Sequence, residues 1–354
     1  TDVSVKTTIA LTLNGTLNWS EFDARKIALV SEVTDREVTG SWLYDQPQNE
    51  LVFTPDYPLA IDTRYQVVAD DEFTSFDPDN FSFTTTASDT VHYDTVSAEC
   101  NAVCDYELWA WDDSGLVYQL ADINPNTSSY PTWSGVRFNG LYWFTADTES
   151  EGREIWVTDG TPYYVELFAD LVPGTDSSNA DSFTVMGDYL YFNANTGDAN
   201  EKGMLWRTDG TVDGTEAFFN PRTDAGSANV RHLHVLNNEL IFVAYGEDSE
   251  GSYITDGLYK TDGTLAGTGL YKDLITDSTR SSGFNDFFEL NGKLYFHASD
   301  GNDTDTNANH HSYSLFVTDG TEAGTGLVKD INPTETDSSE ARISRPTVLG
   351  DVAI

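Results

Sequence analysis

Bases are scarce in this chain. Its 354 residues hold 18 Lys and Arg against 59 Asp and Glu, a net charge of −41. Nucleic-acid binding needs basic surface to displace the counterions of the phosphates, so this composition argues against a nucleic-acid partner, and anionic membranes repel it too. Long apolar runs are also missing. No stretch approaches the roughly 20 residues that cross a bilayer, so membrane insertion is not expected. Cysteine is down to two residues, Cys100 and Cys104. Their close spacing permits a small disulfide loop in an oxidising compartment, whereas a zinc centre would need more thiols or nearby His. The sequence has no Gly-x-Ser-x-Gly, no His-Glu-x-x-His and no phosphate-cradling glycine loop, which weighs against those chemistries. Carboxylates are too abundant to single out a glycosidase pair. No segment keeps a helical period for about a dozen residues.

What is present is repetition. Leu-aromatic-x-Thr-Asp-Gly-Thr occurs as Ile155 to Thr161, Leu205 to Thr211, Leu258 to Thr264 and Leu315 to Thr321, with a worn copy at Leu108-Trp109-Ala110-Trp111-Asp112. The Asp positions 112, 159, 209, 262 and 319 are 47, 50, 53 and 57 apart, a period that signals a propeller, solenoid or array. Phe-x-Ala recurs at Phe144, Phe192, Phe242 and Phe296, and further apolar runs end in Asp122, Asp170, Asp273 and Asp330. Four β-type runs per period, punctuated by Asn-Gly and Asp-Gly turns, make a propeller blade. The chain is therefore read as all-β, with a propeller of five repeats of about 50 residues over residues 105–354. The last residues match a first strand, so Val352-Ala353-Ile354 is expected to pair beside Tyr106-Glu107-Leu108-Trp109 and close a five-bladed ring. A cut from a longer array is the other reading.

The repeats resemble a bacterial extracellular family whose blades carry the signature ELWxTDGTxxGT. The later Gly-Thr survives at Gly214-Thr215, Gly267-Thr268 and Gly324-Thr325 but not after Thr161, where Tyr163-Tyr164-Val165 stands nearby. Residues 1–88 carry no repeat. Their alternation in Ile9-Ala10-Leu11-Thr12 and Leu51-Val52-Phe53-Thr54 suits a small β-sandwich. The segment is similar to bacterial Ig-like domains of surface-layer and adhesin proteins, with Tyr65 placed for a tyrosine corner. Residues 89–104 are read as a connector. Thr1 is not an initiator residue, so a mature product or excised segment is expected, monomeric as a fragment. A secreted or cell-surface location is implied by the resemblance alone. The acidic surface suits a saline habitat, where salt screens self-repulsion.

Candidate chemistry is sparse. Asp300, Asn302, Asp303, Asp305 and Asn307 offer hard oxygen ligands for Ca²⁺, although Ala308 and Ser314 break the EF-hand pattern; a solvated polar loop is the alternative. Asp147 to Glu151 and Glu247 to Glu250 are weaker acidic loops. His232-x-His234 is read as a core or interface pair, and each Asp-Gly-Thr Asp as the fastener of its own turn. Tyr130, Trp133, Tyr163 and Tyr164 are aromatics outside the repeat positions, suited either to stacking on sugar rings or to packing between blades and against the Ig-like domain. The connection after Phe-x-Ala lengthens from nine positions (Ala146 to Ile155) through eleven and fourteen to seventeen (Ala298 to Leu315), marking one end of the sheets for recognition, especially residues 245–256 and 299–313. The expected function is non-enzymatic binding or adhesion within a larger bacterial surface protein, with a glycan or surface protein as partner and the Ig-like domain as spacer. A structural surface-layer role and a secreted polysaccharide lyase or hydrolase are the alternatives.

Overall fold

The computed structural model describes residues 2–3, 8–12, 27–45, 47–48, 50–57, 59–60, 63–69, 82–85, 91–97, 106–112, 117–125, 127–132, 135–162, 164–198, 201–222, 224, 226–248, 250–275, 281–299, 314–329, 348–349 and 352–353. All regular structure among them is β. Two compact units are present, Thr1–Asp170 and Leu171–Ile354.

The first unit opens with a two-sheet sandwich. One sheet has the order Asp2–Val3, Ser82–Thr85, Arg64–Ala69, Ile27–Ser31, Glu37–Val38, and the other Ile9–Thr12, Glu50–Pro55, Gly40–Asp45. Alternation dictates the layers: Ile27, Leu29 and Ser31 are buried while Ala28 and Val30 are half-buried. Leu29, Leu51, Phe53, Tyr65 and Val67 fill the interior. Tyr65 makes the corner expected of it, its hydroxyl accepting from the Ala60 N–H at 2.8 Å, a bond back to the chain just upstream.

Four antiparallel sheets follow the repeat, each four strands in sequence order. Their strands are Val136–Phe138, Leu141–Thr148, Gly152–Thr158 and Val165–Ala169; Asp181–Met186, Tyr189–Ala194, Met204–Thr208 and Glu216–Phe219; Arg231–Leu236, Glu239–Glu247, Tyr253–Thr261 and Gly269–Asp273; and Asn285–Leu290, Lys293–Ala298, Ser314–Thr318 and Gly326–Lys329. The two landmarks of the sequence meet across the central ladder. Phe144 faces Trp156, Phe192 faces Trp206, Phe242 faces Tyr259 and Phe296 faces Phe316. In the last three pairs the rings stack at 6.2, 5.6 and 5.9 Å, a cross-strand contact that favours this register. A bulge recurs just before each of those aromatics on the side of the outer strand. Within the second unit, apolar faces join one sheet to the next: Leu236, Ile241 and Val243 cluster with Phe284, Leu294 and Phe296.

Two expectations are corrected here. Val91–Ser97, read as connector, is a strand that pairs along all of Tyr106–Asp112, from Tyr106 against Ser97 to Asp112 against Val91. Val117–Ala121 takes the other edge, giving a first, three-stranded sheet. The place reserved for the C-terminal strand is thus filled by a nearer segment, whose loop closes over fewer residues and loses less entropy. Val348–Leu349 and Val352–Ala353 pair with each other instead. The second correction concerns the spacer. Ig-like residues Leu29, Leu51 and Tyr65 belong to the same apolar cluster as Leu108, Tyr118, Leu120 and Phe144 of the first two repeat sheets.

Candidate functional site

The turn end of the repeat sheets is built for structure. Asp159, Asp209, Asp262 and Asp319 each accept at Oδ1 from the N–H of the Thr two residues on at 2.9 Å. The same oxygen accepts that Thr hydroxyl at 2.6 to 2.7 Å. The intervening glycines sit at φ +88° to +100°, a conformation L side chains rarely take. Where the second Gly-Thr is kept, the glycine N–H donates to the same Thr at 2.9 to 3.0 Å. A Cβ on Gly214, Gly267 or Gly324 would lie 2.0 to 2.2 Å from the Asp carboxylate. The whole signature is therefore one hydrogen-bonded turn. Bonds from the Thr hydroxyl and N–H hold the Asp209, Asp262 and Asp319 carboxyls below the ordinary range. Asp159 goes the other way: burial pushes it up to about 6.

Asp159 differs because the Ig-like domain covers this end of the first two sheets. Val33 lies against Gly140 of the Asn139-Gly140 turn, and Tyr57 meets Tyr118 at 5.5 Å. Arg36 pairs with Glu166 and stands 5.9 Å over the Tyr164 ring. Tyr164 thus stands beside an Ig-like side chain, in the repeat that lacks the second Gly-Thr.

The opposite end carries a different pattern. Ahead of each four-stranded sheet, the carbonyls of Ser129, Ser178, Ala228 and Ser282 accept from the N–H groups of Asp147, Asn195, Tyr245 and Ser299 at 2.6 to 2.9 Å. The next residues, Tyr130, Asn179, Asn229 and Gly283, have φ of +41°, +49°, +47° and +58°. Asn and Gly enter this left-handed region readily, and a bulky aromatic does not. Tyr130 nonetheless holds it while 53% exposed, its ring stacked on Tyr106 at 5.5 Å and 23°. Beneath this pair Glu107 is buried. Its carboxylate accepts from Ser129 Oγ at 2.7 Å, Ser129 N–H at 3.1 Å and Ile123 N–H at 3.0 Å. Arg153 donates to the Tyr130 carbonyl at 2.9 Å and pairs with Asp147 at 3.2 Å. Sequence reasoning missed Tyr106 and Glu107. The signal was the acid directly before the Leu-aromatic pair.

In the third four-stranded sheet Asp256 takes the carboxylate's part, accepting from Ser281 Oγ and, at 3.1 Å, from Gly283 N–H, with Arg231 as its ion partner. His232 and His234 both lie on the Phe287 ring, at 5.1 and 5.0 Å. Burial drives both imidazoles down, His234 to about 4, so they are neutral packing groups near pH 7. Thr148 and Ser150 hydroxyls donate to Glu151, and Asp248 Oδ1 caps its loop by accepting from Glu250 and Ser252 N–H groups. Among the described residues no three His, Cys, Asp or Glu side chains gather as a metal site. Trp133, Tyr163, Cys100, Cys104 and the proposed calcium ligands Asp300, Asn302, Asp303, Asp305 and Asn307 lie outside the described residues.

Residues 1–85 match the bacterial Ig-like domain family. No curated protein matches the chain. Among solved structures, a puromycin-hydrolysing peptidase of Mycobacterium tuberculosis is similar at 12% identity and TM-score 0.42, over 90% of this chain and 46% of that one. An α-L-arabinofuranosidase from Clostridium thermocellum is similar at 15% identity and TM-score 0.32, over 68% and 91%. An endo-arabinase from Bacteroides thetaiotaomicron is similar at 13% identity and TM-score 0.28, over 68% and 90%. The chain thus spans under half the length of the peptidase, and likenesses this distant assign it no activity. No helix of the described residues is long and apolar enough to cross a membrane.

Proposed function

We propose that this chain is a non-enzymatic carbohydrate-binding segment of a bacterial surface protein, with the Tyr106–Tyr130 pair as its sugar platform and a propeller as its scaffold. One observation carries the reading: Tyr130 occupies a left-handed position that the equivalent sites give to Asn and Gly, and it presents its ring to solvent there. Backbone strain of about 1–3 kcal/mol persists where something else selects for it. Exposed, rigidly held tyrosines supply flat apolar area at low entropic cost, which is what the face of a pyranose ring meets. Among the described residues, the Ig-like contacts made by Val33, Tyr57 and Arg36 fall at the turn end of the first two sheets, away from this pair.

A glycan array run with the whole chain and with Tyr130→Ala tests the reading, alongside a turnover assay on the same polysaccharides. Binding that disappears in the variant, without turnover, is the expected result. Turnover would put a lyase or hydrolase in its place. Equal binding by both proteins would remove the platform, and binding to nothing would leave the structural surface-layer role.

A further inference from the structure

We infer that the platform selects uncharged sugar polymers over sulfated or carboxylated ones. The inference rests on the platform reading and adds its ligand chemistry. Among the described residues, the cation bonded to the platform backbone is Arg153. Its guanidinium already serves the Tyr130 carbonyl at 2.9 Å and the Asp147 carboxylate at 3.2 Å, with the side chain 22% exposed. The hairpin that carries Arg153 also brings Asp147, Glu149 and Glu151. Bonds from Ser150 and Thr148 hold the Glu151 carboxyl below its ordinary range, so it stays charged well into acid. Among the described residues, this hairpin therefore brings three carboxylates and one committed guanidinium to the end of the sheet. The chain as a whole, at −41, adds repulsion of the same sign. Recognition of a sulfate or uronate uses an open, bidentate Arg or a free ammonium. A stacked neutral ring needs neither, because its apolar face meets the aromatic ring directly.

The test compares neutral polysaccharides (β-glucan, mannan, xylan, galactan and dextran) with their own sulfated or carboxymethylated derivatives. Titrations run at low and high NaCl on the whole chain and on Tyr130→Ala, with circular dichroism confirming the fold at each salt. At least one neutral polymer should bind, and its affinity should change by no more than about twofold with salt, since little charge is involved. Its anionic derivative should bind at least about tenfold more weakly at low salt and recover part of the loss at high salt. Tyr130→Ala should abolish the neutral binding. An anionic derivative that binds more tightly than its parent, with binding still lost in Tyr130→Ala, would overturn the charge inference and leave the platform standing. Binding that survives Tyr130→Ala, or no binding to any polymer, would take the platform down and this inference with it.

Discussion

Two side chains show what burial does to a titrating group, and they push in opposite directions. Asp159, about 6 when folded, lies above the ordinary carboxylate value, so folding takes up a proton between about pH 4 and 6. Its contribution is present below the unfolded value and is lost as pH rises through 6. His234, about 4 when folded, lies below the ordinary imidazole value. Its contribution is present above about pH 6.5 and is lost as pH falls toward 4. Asp159→Asn keeps the Oδ1 acceptor for Thr161 and removes the buried charge. It should raise stability at pH 7 by on the order of 2 kcal/mol and flatten the gain on acidification. Denaturant melts of parent and variant from pH 7 to 4 check this, and parallel curves would contradict it. Tyr130→Asn gives the second prediction at this scale. It places the residue of the equivalent positions into a left-handed backbone, so it should stabilise by about 1 kcal/mol while losing sugar binding. Thermal melts and titrations together test that split.

At the scale of the element, the Thr-Asp-Gly-Thr-x-x-Gly-Thr turn behaves as one interlocked part. Gly214→Ala would drive a Cβ to 2.1 Å from Asp209 Oδ1, whereas Gly269 meets nothing within 4 Å. Gly214→Ala should cost about 1–3 kcal/mol and Gly269→Ala less than about 1. Equal melting of the two variants would refute the interlock. Much of this was legible in the sequence, because Phe-x-Ala and Leu-aromatic are cross-strand partners and each repeat restates the pair. Val91–Ser97 escaped because its run, Val91-His92-Tyr93-Asp94-Thr95-Val96-Ser97, lacks the Phe-x-Ala mark and is recognised only by its pairing with Tyr106–Asp112. Asp256 escaped because it sits one position before the usual acid, beside Gly257. The strain at Tyr130 was not legible at all. The letters show a tyrosine, and only the backbone shows that Asn, Asn and Gly stand at the matching places.

Across the first unit, the Ig-like sandwich shares an apolar cluster with two repeat sheets and so acts as more than a spacer. Removing residues 1–88 would take Tyr57 from Tyr118 and Val33 from Gly140, and would strip the Ig-like half from the shared apolar cluster. Chains so truncated should lose cooperative melting of the first two sheets or aggregate, given the apolar surface laid bare. A truncated chain that melts like the parent would refute the shared core. Among the described residues the sandwich meets these sheets at the turn end, and the central proposal concerns the other end. Hydrogen exchange with and without a bound neutral polysaccharide tests it most directly. Protection confined to residues 106–107, 128–132 and 147–153, with 33–36, 139–140 and 159–166 unchanged, is the predicted footprint. Protection centred on the turn end, or spread over the sandwich, would contradict the account.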